Sequence, residues 1–83
     1  MQDFKVVMIS DNTNSFGLRQ MIVVSRSGEV YKTCASSLNV KPVGAILTMV
    51  NGMFTGCELT EEAGLVSERV AKEAWNTVIV ETV

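Results

Sequence analysis

Val43-Gly44-Ala45-Ile46-Leu47-Thr48-Met49-Val50-Asn51-Gly52-Met53-Phe54-Thr55-Gly56-Cys57 is two apolar runs around an Asn-Gly pair. A two-residue type I′ turn needs positive φ at both central positions, and Asn-Gly tolerates that best. The stretch therefore predicts a β-hairpin with strands over Val43–Val50 and Met53–Cys57. Upstream, Ser36–Pro42 reads as a connector, because Pro42 has no amide hydrogen and marks a turn or a sheet edge. Further back, Gln20–Arg26 and Glu29–Ala35 flank Ser27-Gly28, a second hairpin. In its return strand Val30, Lys32 and Cys34 alternate with Tyr31, Thr33 and Ala35. Phe4–Ser10, rich in β-formers, predicts a first strand.

Downstream of Cys57 the period changes. Thr60 suits an N-cap, and Glu61 and Glu62 suit a first helical turn. Ala63, Val66, Val70 and Ala74 then fall three or four apart, while Glu68 and Lys72 form an i,i+4 pair. Gly64 weakens that turn by about 1 kcal/mol relative to Ala. The spacing predicts a helix ending near Asn76, then a last apolar strand over Thr77–Val83. The expected fold is α+β in one domain, residues 1–83. A curved antiparallel sheet of about six strands, open or partly closed as a barrel, carries one helix in the order β-β-β-β-β-α-β.

A chain of 83 residues with 47% apolar content buries only roughly 60–65% of its unfolded surface. Self-association is the expected remedy. Cys34 and Cys57 can make at most one bridge, and with no His there is no zinc-ligand spacing. Two cysteines without a dense framework fit free thiols in a reducing compartment. The N-terminal segment has no charged-then-apolar signal pattern, and no apolar run approaches the ~20 residues of a membrane span. The expectation is a cytoplasmic protein without a membrane partner. Net charge is −2 and the seven basic residues are scattered, so nucleic acid is not the expected partner.

Catalysis finds little support in the residues. His, the commonest general base, is missing. No Ser has an evident basic neighbour, and Cys34 and Cys57 lie in strand-like runs where Cys packs as a small apolar residue. The candidate chemistry is binding. Asp11-Asn12-Thr13-Asn14-Ser15-Phe16-Gly17-Leu18 is a polar loop between two strands, longer than a hairpin connection requires. Asn12 and Asn14 would read polar ligand edges, Ser15 a phosphate oxygen, Phe16 a base face, and Arg19 a phosphate. Tyr31, Lys32, Arg69, Lys72 and Trp75 form a second set, in which Tyr31 would stack, Arg69 and Lys72 would meet an anion, and Trp75 near the helix end reads as core or interface packing. No cofactor or metal is expected.

The stretch Ile9–Leu18, followed by Met21-Ile22-Val23-Val24-Ser25 and the Ser27-Gly28 hairpin, is similar to small phage-encoded anti-defence proteins. In particular it resembles the Thoeris anti-defence sponge family over roughly the first 35 residues, as a loop-and-hairpin pattern. That family binds immune signals of the cyclic ADP-ribose type and holds them without cleaving them. The resemblance implies a non-enzymatic homo-oligomer with pockets for a small anionic nucleotide-type ligand near subunit contacts. The alternative expectation is a protein-interaction inhibitor or accessory subunit acting through the 11–18 loop and an acidic helix face of Glu61, Glu62, Glu68 and Glu73.

Overall fold

Strands β1 (Gln2–Thr13), β2 (Leu18–Ser25) and β3 (Glu29–Ser36) form an antiparallel meander. A computed structural model of the chain describes residues 2–81, with side-chain surroundings over residues 2–76. After β3, residues 37–45 return across the end of the sheet and place β4 (Ile46–Val50) beside β1. Three hairpin-linked strands with the fourth returning beside the first make a Greek key. β5 (Met53–Phe54) pairs with β4, and β6 (Glu58–Leu65) pairs with β3, giving the sheet order β5-β4-β1-β2-β3-β6. The helix α1 (Glu68–Glu81) follows.

That order forces curvature. β5 and β6 stand at opposite edges of the sheet, yet only residues 55–57 join them. Four Cα steps reach at most roughly 15 Å, so the two edges must curl toward each other. The result is a nearly closed, all-antiparallel barrel of six strands with one C-terminal helix outside it. Asn51 and Gly52 have φ of 53° and 79°, as the Asn-Gly hairpin demands.

Inside the barrel Phe4, Val6, Met21, Val23, Ala35, Leu47, Phe54 and Cys57 pack as one core. Phe4 lies edge-on to Tyr31 at 5.3 Å and to Phe54 at 5.2 Å between ring centroids, a favoured aromatic geometry. Thr33 is buried among them, and its hydroxyl is satisfied by Thr60 Oγ1 at 2.9 Å. A smaller cluster of Val24, Ala71 and Trp75 attaches α1 to the outer face of the sheet.

Two expectations need correction. The helix does not begin at Thr60. Residues 58–65 are strand, because β3 needs a partner on its second side, and the element order is β-β-β-β-β-β-α. Gly64 at φ +129° and Leu59 at φ +55° are incompatible with a regular helix at that point. Ser67 caps the helix instead, its Oγ accepting from Val70 N–H at 3.2 Å. The helix also runs past Asn76 to Glu81, so residues 77–81 are not a last strand, and residues 82–83 lie outside the described residues. The second correction concerns the polar loop. β1 extends to Thr13, leaving residues 14–17 as a tight turn.

Candidate functional site

The expected site residues fall in three separate places. Asn14 is consumed by its own turn, since its Oδ1 accepts from Phe16 N–H at 2.8 Å and Leu18 N–H at 3.0 Å. Asn12 sits at the end of β1, where its carbonyl accepts from Ser10 Oγ at 3.0 Å. Arg19 clamps the irregular end of β1, donating from Nε and Nη2 to the Ser10 carbonyl at 3.0 and 2.8 Å. Ser15 and Phe16 are exposed at the turn, and Phe16 contacts a shallow depression with Leu18, Glu58 and Leu59.

Tyr31 is on the inner face of β3, packed against Phe4 and Phe54. Its hydroxyl donates to Glu62 Oε1 at 3.4 Å. Burial, then the charges of Glu62 and Glu29, push its pKa above the usual phenol value. The adjoining cavity has Glu29 and Glu62 on its wall, which disfavours an anion. On α1, Arg69 pairs with Glu73 at 3.5 Å rather than facing a ligand. Cys57 is buried, which raises its thiol pKa and keeps it protonated and inert.

Lys72 alone joins a built site. The β2–β3 turn is fixed internally, with Ser25 Oγ accepting from Glu29 N–H at 2.9 Å and contacting Ser27 Oγ at 3.1 Å. Gly28, at φ +107°, packs so closely that a Cβ would collide with the Val66 carbonyl. The Gly28 carbonyl in turn accepts from Val66 N–H at 2.8 Å. The turn is thereby tied to the segment leading into α1, and Arg26 and Ser27 are held opposite the helix. Between them lies a cavity of about 250 Å³ lined by Arg26, Ser27, Glu68, Lys72, Trp75 and Asn76.

Trp75 is the floor of this cavity and 3% exposed. Its Nε1–H donates to the Val24 carbonyl at 3.1 Å. The Arg26 guanidinium stands 4.1 Å from the indole centroid, and the Lys5 Nζ stands 4.8 Å from it. Both are cation–π distances. Lys5 is 4% exposed and, like Arg26 and Lys72, has no ion-pair partner among the described residues. Burial, and then the Arg26 charge, lower the Lys5 pKa. Two cations thus stand over one indole, and Lys72 adds a third on the cavity wall, in a chain of net charge −2. Lys and Arg at neutral pH are donors only, so this face of the protein offers positive charge and hydrogen-bond donors.

Sequence reasoning missed Lys5 and Arg26. The available signal was a charge, Lys5, set inside the apolar run Phe4–Ile9, and an Arg beside a Ser-Gly turn. No protein-family model, curated protein or solved structure matches this chain.

Proposed function

We propose that this is a non-enzymatic binding protein that sequesters a small nucleotide-derived signal, of the cyclic ADP-ribose or cyclic oligonucleotide kind, as a phage counter-defence. The carrying observation is that Arg26 and Lys72 line an open cavity against Trp75, with Lys5 also over the indole, none of them ion-paired among the described residues. Such a site offers charge and hydrogen bonds, which suits holding a ligand rather than breaking it. Self-association into a homo-oligomer belongs to the same proposal. Exposed Met8, Ile46, Met53 and Leu65 supply apolar surface for it.

The test is a melting screen against cyclic dinucleotides, cyclic trinucleotides and cyclic ADP-ribose isomers, with the ligand analysed after denaturation. At ~100 times its dissociation constant a ligand adds about 2.7 kcal/mol, roughly 10 °C for a domain of this size. One ligand class should give that shift and be recovered intact. A flat screen, or a ligand recovered cleaved, overturns the proposal.

A second reading is a protein-interaction inhibitor, favoured by Phe16. That ring is 76% exposed on a turn already fixed by Asn14, beside Leu59, which is 59% exposed in a left-handed conformation. A rigid aromatic knob loses little entropy on docking. The acidic surface expected to assist is divided, since Glu61 and Glu62 lie on β6 while Glu68 and Glu73 lie on α1.

A further inference from the structure

We infer that the Arg26–Lys72 cavity recognises a diphosphate group and leaves any attached base unread. The inference rests on the binding function proposed above and narrows the ligand chemistry at the same site. Reading a base requires an open aromatic face or a set of neutral donors and acceptors. Neither is at hand. Trp75 is 3% exposed, and its one polar atom is already bonded to the Val24 carbonyl. Phe16 lies beyond the opposite end of β2, whose eight residues span roughly 23 Å. Tyr31 faces the barrel interior, across the sheet from Trp75, with its hydroxyl on Glu62.

What the cavity does offer is charge. Arg26 and Lys72 line it, and Lys5, 4.8 Å from the indole centroid, adds its field. Ser27 and Asn76 are the neutral polar side chains on its wall. At about 250 Å³ it falls below the ~300–1,000 Å³ of cavities that enclose drug-sized ligands, so it grips one end of a nucleotide. Two linked phosphates match the Arg26 and Lys72 pair, with Lys5 nearby, better than one phosphate does. Glu68, the acid on the wall, opposes an over-large negative charge and accepts from a sugar hydroxyl.

Trp75 is the single tryptophan of the chain, so its emission reports on this site alone. The experiment titrates the full-length protein with inorganic pyrophosphate, inorganic phosphate, ADP-ribose, GDP and adenosine at fixed ionic strength. Trp75 emission and melting temperature are read in parallel. Pyrophosphate, ADP-ribose and GDP should all bind, within about fivefold of one another, and adenosine should not. Inorganic phosphate should bind more weakly by about tenfold. R26A should weaken pyrophosphate by about tenfold or more, as loss of a charged hydrogen bond implies, and E68Q should strengthen it. Arg26 and Glu68 are both exposed, so these variants keep the fold.

The two ideas fail differently. If adenosine competes, or if nucleotides bind while pyrophosphate does not, the diphosphate inference falls and the binding function stands. If R26A binds pyrophosphate as tightly as the parent, the contact is elsewhere and the inference falls. If neither these probes nor the cyclic nucleotides bind, the binding function falls with it.

Discussion

The two turns at opposite ends of β2 are built alike and end up with opposite characters. Each is fixed by one polar side chain reaching back to the chain, Asn14 at one end and Ser25 at the other. The 14–17 turn spends its Asn14 amide on itself and leaves Phe16 in solvent. The 26–28 turn has as many polar side chains, Arg26 and Ser27, but a second element is tied against it through Gly28 and Val66. A ligand site needs two walls. Polar composition in one loop does not provide the second.

The comparison is broken most severely at the glycines. Gly17 and Gly28 both have positive φ, but only Gly28 has a backbone neighbour where a Cβ would go. G28A should cost roughly 2–5 kcal/mol, combining strain with overpacking, and should loosen α1. G17A carries strain alone, about 1–2 kcal/mol. Urea denaturation of the pair checks the difference; equal costs would mean the close approach to Val66 is unimportant.

A smaller effect isolates the Lys5 charge against Trp75. Lys5 has a lowered pKa in the folded protein relative to its ordinary 10.5. Between the lowered value and 10.5 the unfolded chain binds more protons than the folded one, so the Lys5 contribution makes stability rise with pH in that window. Below the window the penalty for the buried charge is fully present. Tyr31 and Cys57, with raised pKa values, act in the opposite direction, so the observable is the difference between K5M and the parent. K5M should gain relative stability at neutral pH and lose that advantage toward pH 10.5. A pH-independent difference would show that Lys5 is solvated rather than held against the ring.

The smallest change is F16S, expected within about 0.5 kcal/mol of the parent because the ring touches little. Trp75 emission should be unaltered. A large loss of stability would place Phe16 in packing and remove the case for a docking knob.

Much of the barrel was legible because its signals are local. Asn51-Gly52 and Ser27-Gly28 carry their turn geometry in two residues each, and Tyr31, Thr33 and Ala35 alternate as a half-buried strand should. The β6–α1 boundary was not legible. β6 is exposed almost throughout, so it shows no inward–outward alternation, and its Glu residues imitate the first turn of a helix. Ala63 and Val66 matched the helical spacing of Val70 and Ala74 by coincidence, being strand and linker. The site was hidden for a related reason. Lys5, Arg26 and Trp75 come from β1, the β2–β3 turn and α1, and no short window contains them together.

The three-residue link between β5 and β6 bears on solubility. An open six-stranded sheet would display two rows of unpaired backbone donors and acceptors, ready to template another chain. Curling the sheet sets those rows opposite each other, but β5 is only two residues long and leaves most of β6 without a facing strand. That remaining stretch is interrupted by irregular pairing on both sides, near Leu59 and Gly64, and carries Glu61 and Glu62 between them. Kinks and like charges deny an incoming strand a flat, neutral register. The seam can stay open without becoming a nucleus for aggregation.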